Sequence, residues 1–402
     1  MQVSALALWR APRWALAVLL ASLSTLGPFA IDTYLPAFGG IAGEIGATPL
    51  QMQQTLSAYL LGFSVMNLFH GALADSFGRR PVVLTGVAMF TLASIGCALS
   101  DHVGWLIFFR AVQGMSTGAG IVVSRAVIRD LFVPADAQRM MSQVTIFFGI
   151  APAVAPMLGG WLFVHTGWEA IFWFLALVGV LIWLSVWQTL PETLAPEQRQ
   201  PFNLRHLIDG YLEFGCNDRF WLLALASGVP FNGMFLYVLS APAFLGEHLN
   251  LAPTEYFWFF LVNIVGIMAG AWLSGRLAGR LARRRQVRLG FSILIVATVF
   301  NLIGNFAFEL TFPWAMLPIG LYAFGWALLV PVVTLMVLDL VPHRRGLASS
   351  LQATVGSAAN ALVAGVIAPL VMHSPRGLAF ASAALMCIGF FSWQQIKRRA
   401  PA

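Results

Sequence analysis

Gly71-Ala-Leu-Ala-Asp-Ser-Phe-Gly-Arg-Arg80 returns further down the chain as Gly275-Arg-Leu-Ala-Gly-Arg-Leu-Ala-Arg-Arg284. Glycine, leucine, alanine and both terminal arginines match in register at an offset of 204 residues. Each copy closes a long apolar stretch with a basic turn. Pro36-Ala-Phe38 and Pro242-Ala-Phe244 match at an offset of 206, again near the ends of apolar stretches. Two matches at nearly one offset, at equivalent places, mark an internal duplication. Twelve stretches approach the roughly 20 apolar residues that a helix needs to cross a bilayer. They run near 14–38, 51–74, 82–99, 104–126, 139–162, 168–190, 219–243, 254–276, 288–308, 313–338, 346–371 and 377–395. The repeat pairs the second with the eighth and the first with the seventh. The predicted fold is an all-α membrane protein of twelve transmembrane helices in two six-helix pseudo-repeats. Residues 1–190 form one bundle and 219–402 the other. The proline-punctuated segment 191–218, with Pro191, Pro196 and Pro201, is the linker.

Composition narrows the class. The 402 residues are 59% hydrophobic and 10% charged, whereas a soluble domain carries roughly 25% charged residues. That argues against a water-soluble enzyme, a disordered chain or a nucleic-acid binder. The net charge of +7 has another origin. With the N-terminus inside, 20 of the 23 Lys and Arg fall in cytoplasmic segments, Arg376 lies outside, and Arg110 and Arg125 sit within the fourth span. This is a strong positive-inside bias. It places both termini in the cytoplasm of a multi-pass membrane protein. The single lysine, Lys397, excludes a phosphate-binding P-loop, so ATP is not the driver. Cys97, Cys216 and Cys387 are far apart, and the seven histidines lack ligand spacing, so neither a metal nor a cofactor is expected.

Asp32, Arg110 and Arg125 are the ionisable groups read as lying well inside spans. Each costs about 2.5–3.5 kcal/mol at a helix centre, which invites a functional role. At 1.5 Å per residue, Asp32 and Arg110 both sit roughly 8–9 Å outward of the midplane, so a pair is geometrically possible. A carboxylate in apolar surroundings holds its proton more tightly than in water, and a nearby cation opposes this. A substrate entering the cavity changes both terms, which couples one proton to one substrate. Arg110 itself keeps its proton. Arg125 is placed to snorkel. Asp75 ends the second span, where an anion can meet another helix's positive N-terminus, and Arg79 and Arg80 can pair with Asp75, Asp130 or Asp136. Pro156, Gly159 and Gly160, with Gly149 and Pro152, allow close approach and bending in the fifth span. Tyr59 and Asn232 fall near the predicted midplane, with Tyr237 outward of Asn232.

These motifs resemble the major facilitator superfamily over essentially the whole chain. Gly71-x-Leu-Ala-Asp75-x-x-Gly78-Arg79-Arg80 is similar to its signature between spans 2 and 3. Arg110-Ala-Val-Gln113-Gly114 is similar to its span-4 signature, whose arginine is implicated in proton coupling. Ala155-Pro156-Met-Leu-Gly159-Gly160 is similar to its span-5 antiporter signature. Asp32-Thr-Tyr34-Leu35-Pro36 and Val127-Ile-Arg129-Asp130-Leu-Phe resemble the Bcr/CflA drug-resistance group of drug:proton antiporters. The chain departs from that pattern at Ser24, Asn67 and Ala72. The resemblance implies proton coupling at Asp32 and Arg110, and gating by Asp75, Gly78, Arg79, Arg80, Arg129, Pro156, Gly159 and Gly160. Tyr34, Tyr59, Gln113, Asn232 and Tyr237 are the candidate substrate-cavity residues. The expected function is export of small, largely apolar drugs of bicyclomycin or chloramphenicol type, driven by the proton motive force without a cofactor. The expected partners are the drug, protons and the bilayer, with no nucleic acid, and the working unit is a monomer. The competing reading is a proton-coupled carrier of a native metabolite (a sugar, amino acid or siderophore), with drug export incidental.

Overall fold

The computed structural model describes residues 12–132, 140, 144, 154–199, 202–215, 217–278, 280–308, 311–340 and 345–399. Every regular element among them is helical. Hydrocarbon offers no hydrogen bonds, so a spanning backbone must satisfy its own polar groups. The chain splits into two units, residues 1–207 and 208–402, and the division falls inside the expected linker. The first contains Arg13–Asp32 (α1), Phe38–Glu44 (α2), Pro49–Phe77 (α3), Arg79–Ala98 (α4), Val103–Leu131 (α5), residues 154–166 (α6) and Glu169–Thr189 (α7). Leu204–Gly215 (α8) straddles the division. The second continues with Asp218–Leu239 (α9), Phe257–Leu277 (α10), Arg283–Ala307 (α11), Leu317–Leu340 (α12), Arg345–Leu362 (α13), Ala368–Val371 (α14) and Pro375–Arg399 (α15). Eleven helical stretches among the described residues are long and apolar enough to cross a membrane. The expected fifth span is described only in part, as α6; Gly149 and Pro152 lie outside the described residues.

Local chemistry sets the helix ends. Thr48 starts α3 with a capping box: its hydroxyl accepts from Gln51 N–H at 3.2 Å, and Gln51 Oε1 accepts from Thr48 N–H at 2.8 Å. Asn217 Oδ1 caps α9 by accepting from Arg219 N–H at 3.0 Å. In the first unit α5 is the hub, packed by α3, α4 and α1, while α7 lies against α4. In the second unit α12 packs on α10 and α11, and α9 on α15. Trp105, Leu177, Trp272, Phe300 and Phe391 stay more than half exposed, which suits lipid and not water.

Three spans differ from the continuous helices expected. The span expected at 14–38 breaks after Asp32, passes through a 3₁₀ turn at Leu35–Ala37 and resumes as α2. The span expected at 219–243 ends at Leu239 and is followed by a π-helical segment, Pro242–His248. Pro36 and Pro242, the repeat-matched prolines, each stand just past a break. Both lack an N–H and crowd the carbonyl four residues back. The span expected at 346–371 is interrupted by a π-helical turn, Val363–Ile367. The linker is also not plain coil. Leu204, Leu207, Ile208, Tyr211 and Leu212 recur at helical spacing and form one stripe of α8.

Candidate functional site

The break in α1 builds the site. Past Asp32, Thr33 N–H still reaches Phe29 O at 3.1 Å, but Tyr34 N–H turns to Ile31 O at 3.2 Å, three residues back. A continuous helix would have bonded Tyr34 N–H to the Ala30 carbonyl. That carbonyl is released, and Arg110 Nη1 of α5 takes it at 3.1 Å. The same nitrogen donates to Gln113 Oε1 at 2.6 Å. Gln113 Nε2 donates in turn to Ser94 Oγ of α4 at 2.8 Å. The guanidinium carbon lies 4.8 Å from the centre of the Tyr34 ring and 4.4 Å from that of Tyr59, within cation–π range. Both tyrosines are themselves anchored. Tyr34 OH is 2.9 Å from Thr55 Oγ1. Tyr59 OH donates to Gly27 O at 3.1 Å and lies 3.1 Å from Thr117 Oγ1. Arg110 is fully buried, and its Nε and Nη2 have no hydrogen-bond partner among the described residues.

Asp32 sits at the end of α1, not within a continuous helix. It is 5% exposed. Among the described residues its carboxylate makes no hydrogen bond or ion pair. The direct pair with Arg110 that equal depth allowed is not formed. Instead both residues lie within electrostatic reach of Tyr59. Gly159 of α6 abuts the same break: a Cβ there would stand 2.0 Å from the Thr33 carbonyl oxygen. Glycine thus lets a second backbone reach the residue following Asp32. Pro156 and Gly160 are buried on the same helix. Ser24 is buried and donates to Leu20 O at 2.8 Å, so its hydroxyl is satisfied on its own helix. Of the expected cavity residues, the structure brings Tyr34, Tyr59 and Gln113 together around Arg110. Gln113 is fully buried with both amide atoms engaged.

A second cluster lies at the α3–α4 turn. Gly78 joins the two helices at φ +103°, a conformation that side chains other than glycine's rarely tolerate. Arg79 donates from Nη1 to Asp75 Oδ1 and from Nε to Asp130 Oδ2 at 3.1 Å. Asp130 also accepts from Thr193 Oγ1 at 3.1 Å. Arg80 Nη2 donates to Trp187 O at 2.6 Å. The anion at the start of α4 is Glu192. Its two carboxylate oxygens accept from Arg79 N–H at 3.0 Å and Arg80 N–H at 3.2 Å, the first orphan donors of α4. The sequence reading took this part of the chain only as a boundary. A carboxylate at a helix start contributes about 0.3–2 kcal/mol. Glu192→Gln is therefore expected to lower the thermal midpoint by a few degrees, as a melt of the two proteins would register. Arg125 is exposed. The Arg129 side chain and Asp136 lie outside the described residues.

In the second unit Asn232 is fully buried, with Nδ2 donating to Gly228 O at 3.2 Å and Oδ1 without a partner. Tyr237 OH accepts from Asn301 Nδ2 at 2.8 Å, and its ring meets Phe244 edge-on at 5.0 Å.

The family model that this chain matches, over residues 18–364, is that of the Major Facilitator Superfamily. The chain belongs to the Major Facilitator Superfamily. Within it, a bicyclomycin resistance protein homolog from Haemophilus influenzae is 30% identical over 388 residues, 94% of this chain and 95% of that one. Multidrug resistance protein D of Escherichia coli is 29% identical over 90% of this chain and 89% of its own. A chloramphenicol resistance protein of Pseudomonas aeruginosa is 27% identical over 72% and 68%. Among solved structures, a bacterial homologue of the human lysosomal transporter Spinster covers 97% of this chain and 99% of its own, with a TM-score of 0.72 at 17% identity. A D-xylose–proton symporter covers 96% and 98%, with a TM-score of 0.70 at 15% identity. These last two similarities show the superfamily fold alone. The chain is thus a multi-pass protein of the bacterial cytoplasmic membrane.

Proposed function

We propose that this superfamily member is a drug:proton antiporter that exports small, largely apolar antibiotics of bicyclomycin or chloramphenicol type. Asp32 carries the reading: a buried carboxylate with no protein partner among the described residues, placed at the helix break whose freed Ala30 carbonyl is taken by Arg110. The names borne by its relatives support the drug class. In this reading the chain has twelve spans with both termini cytoplasmic, works as a monomer and draws on the proton motive force without a cofactor. Asp32 is the proton carrier. Arg110 is its electrostatic partner, held in place by Gln113, Tyr34 and Tyr59. Asn232 and Tyr237 contact the drug from the second unit. Asp75, Gly78, Arg79, Arg80, Arg129, Pro156, Gly159 and Gly160 govern the conformational change. A susceptibility profile of efflux-deficient cells with and without the gene is the test. We expect inhibitory concentrations to rise at least about fourfold for chloramphenicol or bicyclomycin. An unchanged drug profile, with a growth defect on one nutrient instead, would favour the metabolite carrier.

A further inference from the structure

His70 lies on α3 and is 4% exposed. It has no hydrogen bond or ion pair among the described residues, and its Nδ1 is sealed off without a partner. Asn67, nearly one turn earlier, is 5% exposed and equally unbonded. Both face Gly118 of α5: a Cβ there would lie 2.7 Å from Asn67 Oδ1 and 2.8 Å from His70 Nδ1. Thr117, the residue before Gly118, meets Tyr59 OH at 3.1 Å, and Tyr59 lies within reach of Asp32. The first unit therefore holds a stripe of polar side chains from Asp32, through Tyr59 and Thr117, to Asn67 and His70. Asp75, five residues further along α3, has a side chain that is 51% exposed. Burying an unbonded polar group costs about 1–3 kcal/mol, and an apolar side chain would pack the same space without that cost. Helix–helix hydrogen bonding does not account for the pair, because neither residue makes such a bond.

We propose that His70 is a second proton-binding residue of the transport cycle, set between Asp32 and the α3–α4 turn, with Asn67 beside it; the inference rests on the proton-coupled reading above. Histidine is the side chain whose unperturbed charge change falls between pH 5 and 8. A proton leaves the Asp32 carboxyl and one reaches the imidazole by relay through the hydroxyls between them and water admitted there, leaving a carboxylate and an imidazolium. The imidazolium then releases that proton toward the α3–α4 turn and returns to the neutral ring. One proton moves and no electrons are exchanged. Few charged groups oppose this. α1 has no ionisable residue from 14 to 31, and α4 none from 81 to 96. α5 contributes Arg110, clamped at the helix break, Arg125, which is exposed, and Asp130, which is bound to Arg79. On α3 Asp75 is bound to Arg79, and on α2 Glu44, at the opposite end, accepts from Trp168.

Nitrogen-15 NMR of the full-length protein in lipid nanodiscs, with histidine alone labelled, tests the proposal. The His70 signal is identified by its loss in His70→Gln, or in His70→Asn if the first variant fails to insert. We expect it to titrate as the pH is lowered. Its midpoint should be displaced by about one pH unit in Asp32→Asn, the Coulomb effect of one charge roughly 10–15 Å away at an effective dielectric near 20. A His70 signal that does not titrate, or a midpoint indifferent to Asp32→Asn, overturns the proposal. Failure of the underlying reading would show separately, as drug accumulation still driven by a pH gradient in Asp32→Asn.

Discussion

Asp32→Asn abolishes drug accumulation driven by a pH gradient and leaves the protein inserted and folded. Asparagine has nearly the shape of aspartate but no proton to exchange at physiological pH. The fold tolerates it because the Asp32 carboxylate makes no hydrogen bond or ion pair among the described residues, so no partner is stranded. The functional loss is large because the whole driving force enters through that group. A membrane potential of 100 mV supplies about 2.3 kcal/mol and one pH unit about 1.4 kcal/mol. One proton per neutral drug could then hold a gradient of roughly 500-fold. In Asp32→Asn the gradient should fall to about one, while exchange of labelled for unlabelled drug across the membrane, which needs no net proton movement, continues. Proteoliposomes loaded with drug and challenged with an acid or alkaline jump read both quantities. A surviving gradient would remove Asp32 from the mechanism.

Arg110→Ala is expected to cut transport by about two orders of magnitude, and Arg110→Lys to recover only part of it. The arginine bridges three helices. It occupies the Ala30 carbonyl released by the break in α1, bonds Gln113 on its own helix, and through Gln113 reaches Ser94 of α4. Alanine leaves the Ala30 and Gln113 acceptors buried without donors, at about 1–3 kcal/mol each. It also removes the contacts with the Tyr34 and Tyr59 rings. A loss of about 2.7 kcal/mol of positioning energy corresponds to roughly 100-fold. Lysine restores the charge, but its compact ammonium lacks the planar fork that bonds and stacks at once. Initial transport rates for the three proteins, at matched amounts in the membrane, decide the matter. Equal rates in wild type and Arg110→Ala would show that the clamp is only structural.

Much of the architecture was legible because bilayer crossing needs long apolar runs, and because the Gly71–Arg80 turn and the Pro36 triplet are duplicated. The proline match even lies where α1 and α9 break, although the broken ends were read as continuous. The site was legible in its residues but not in its bonds. Equal depth suggested an Asp32–Arg110 pair, yet depth is one coordinate of three, and the rotation of each helix decides which groups meet. The Ala30 carbonyl became an acceptor only through a local change of hydrogen-bond register, which no side chain announces. Glu192 reaches α4 from more than a hundred residues away in sequence, so its role needed the tertiary structure. The α8 helix was available in the spacing of Leu204, Leu207, Ile208, Tyr211 and Leu212, but the neighbouring prolines and charges hid it. His70 was passed over because the histidines were weighed only for metal-ligand spacing. The α3 helix continues to Phe77, past the expected end at 74, which sets His70 deeper inside it.

The central claim is that drug and protons move in opposite directions through one protein by way of Asp32. The direct measurement uses proteoliposomes loaded with the pH-sensitive dye pyranine, with potassium and valinomycin to clamp the membrane potential. Chloramphenicol or bicyclomycin, whichever the susceptibility profile identifies as exported, is added outside only. The account predicts that drug entering down its gradient drives protons out, so the lumen turns alkaline with wild type and stays unchanged with Asp32→Asn. Drug entry without any change in lumenal pH, or an acidifying lumen, would contradict it.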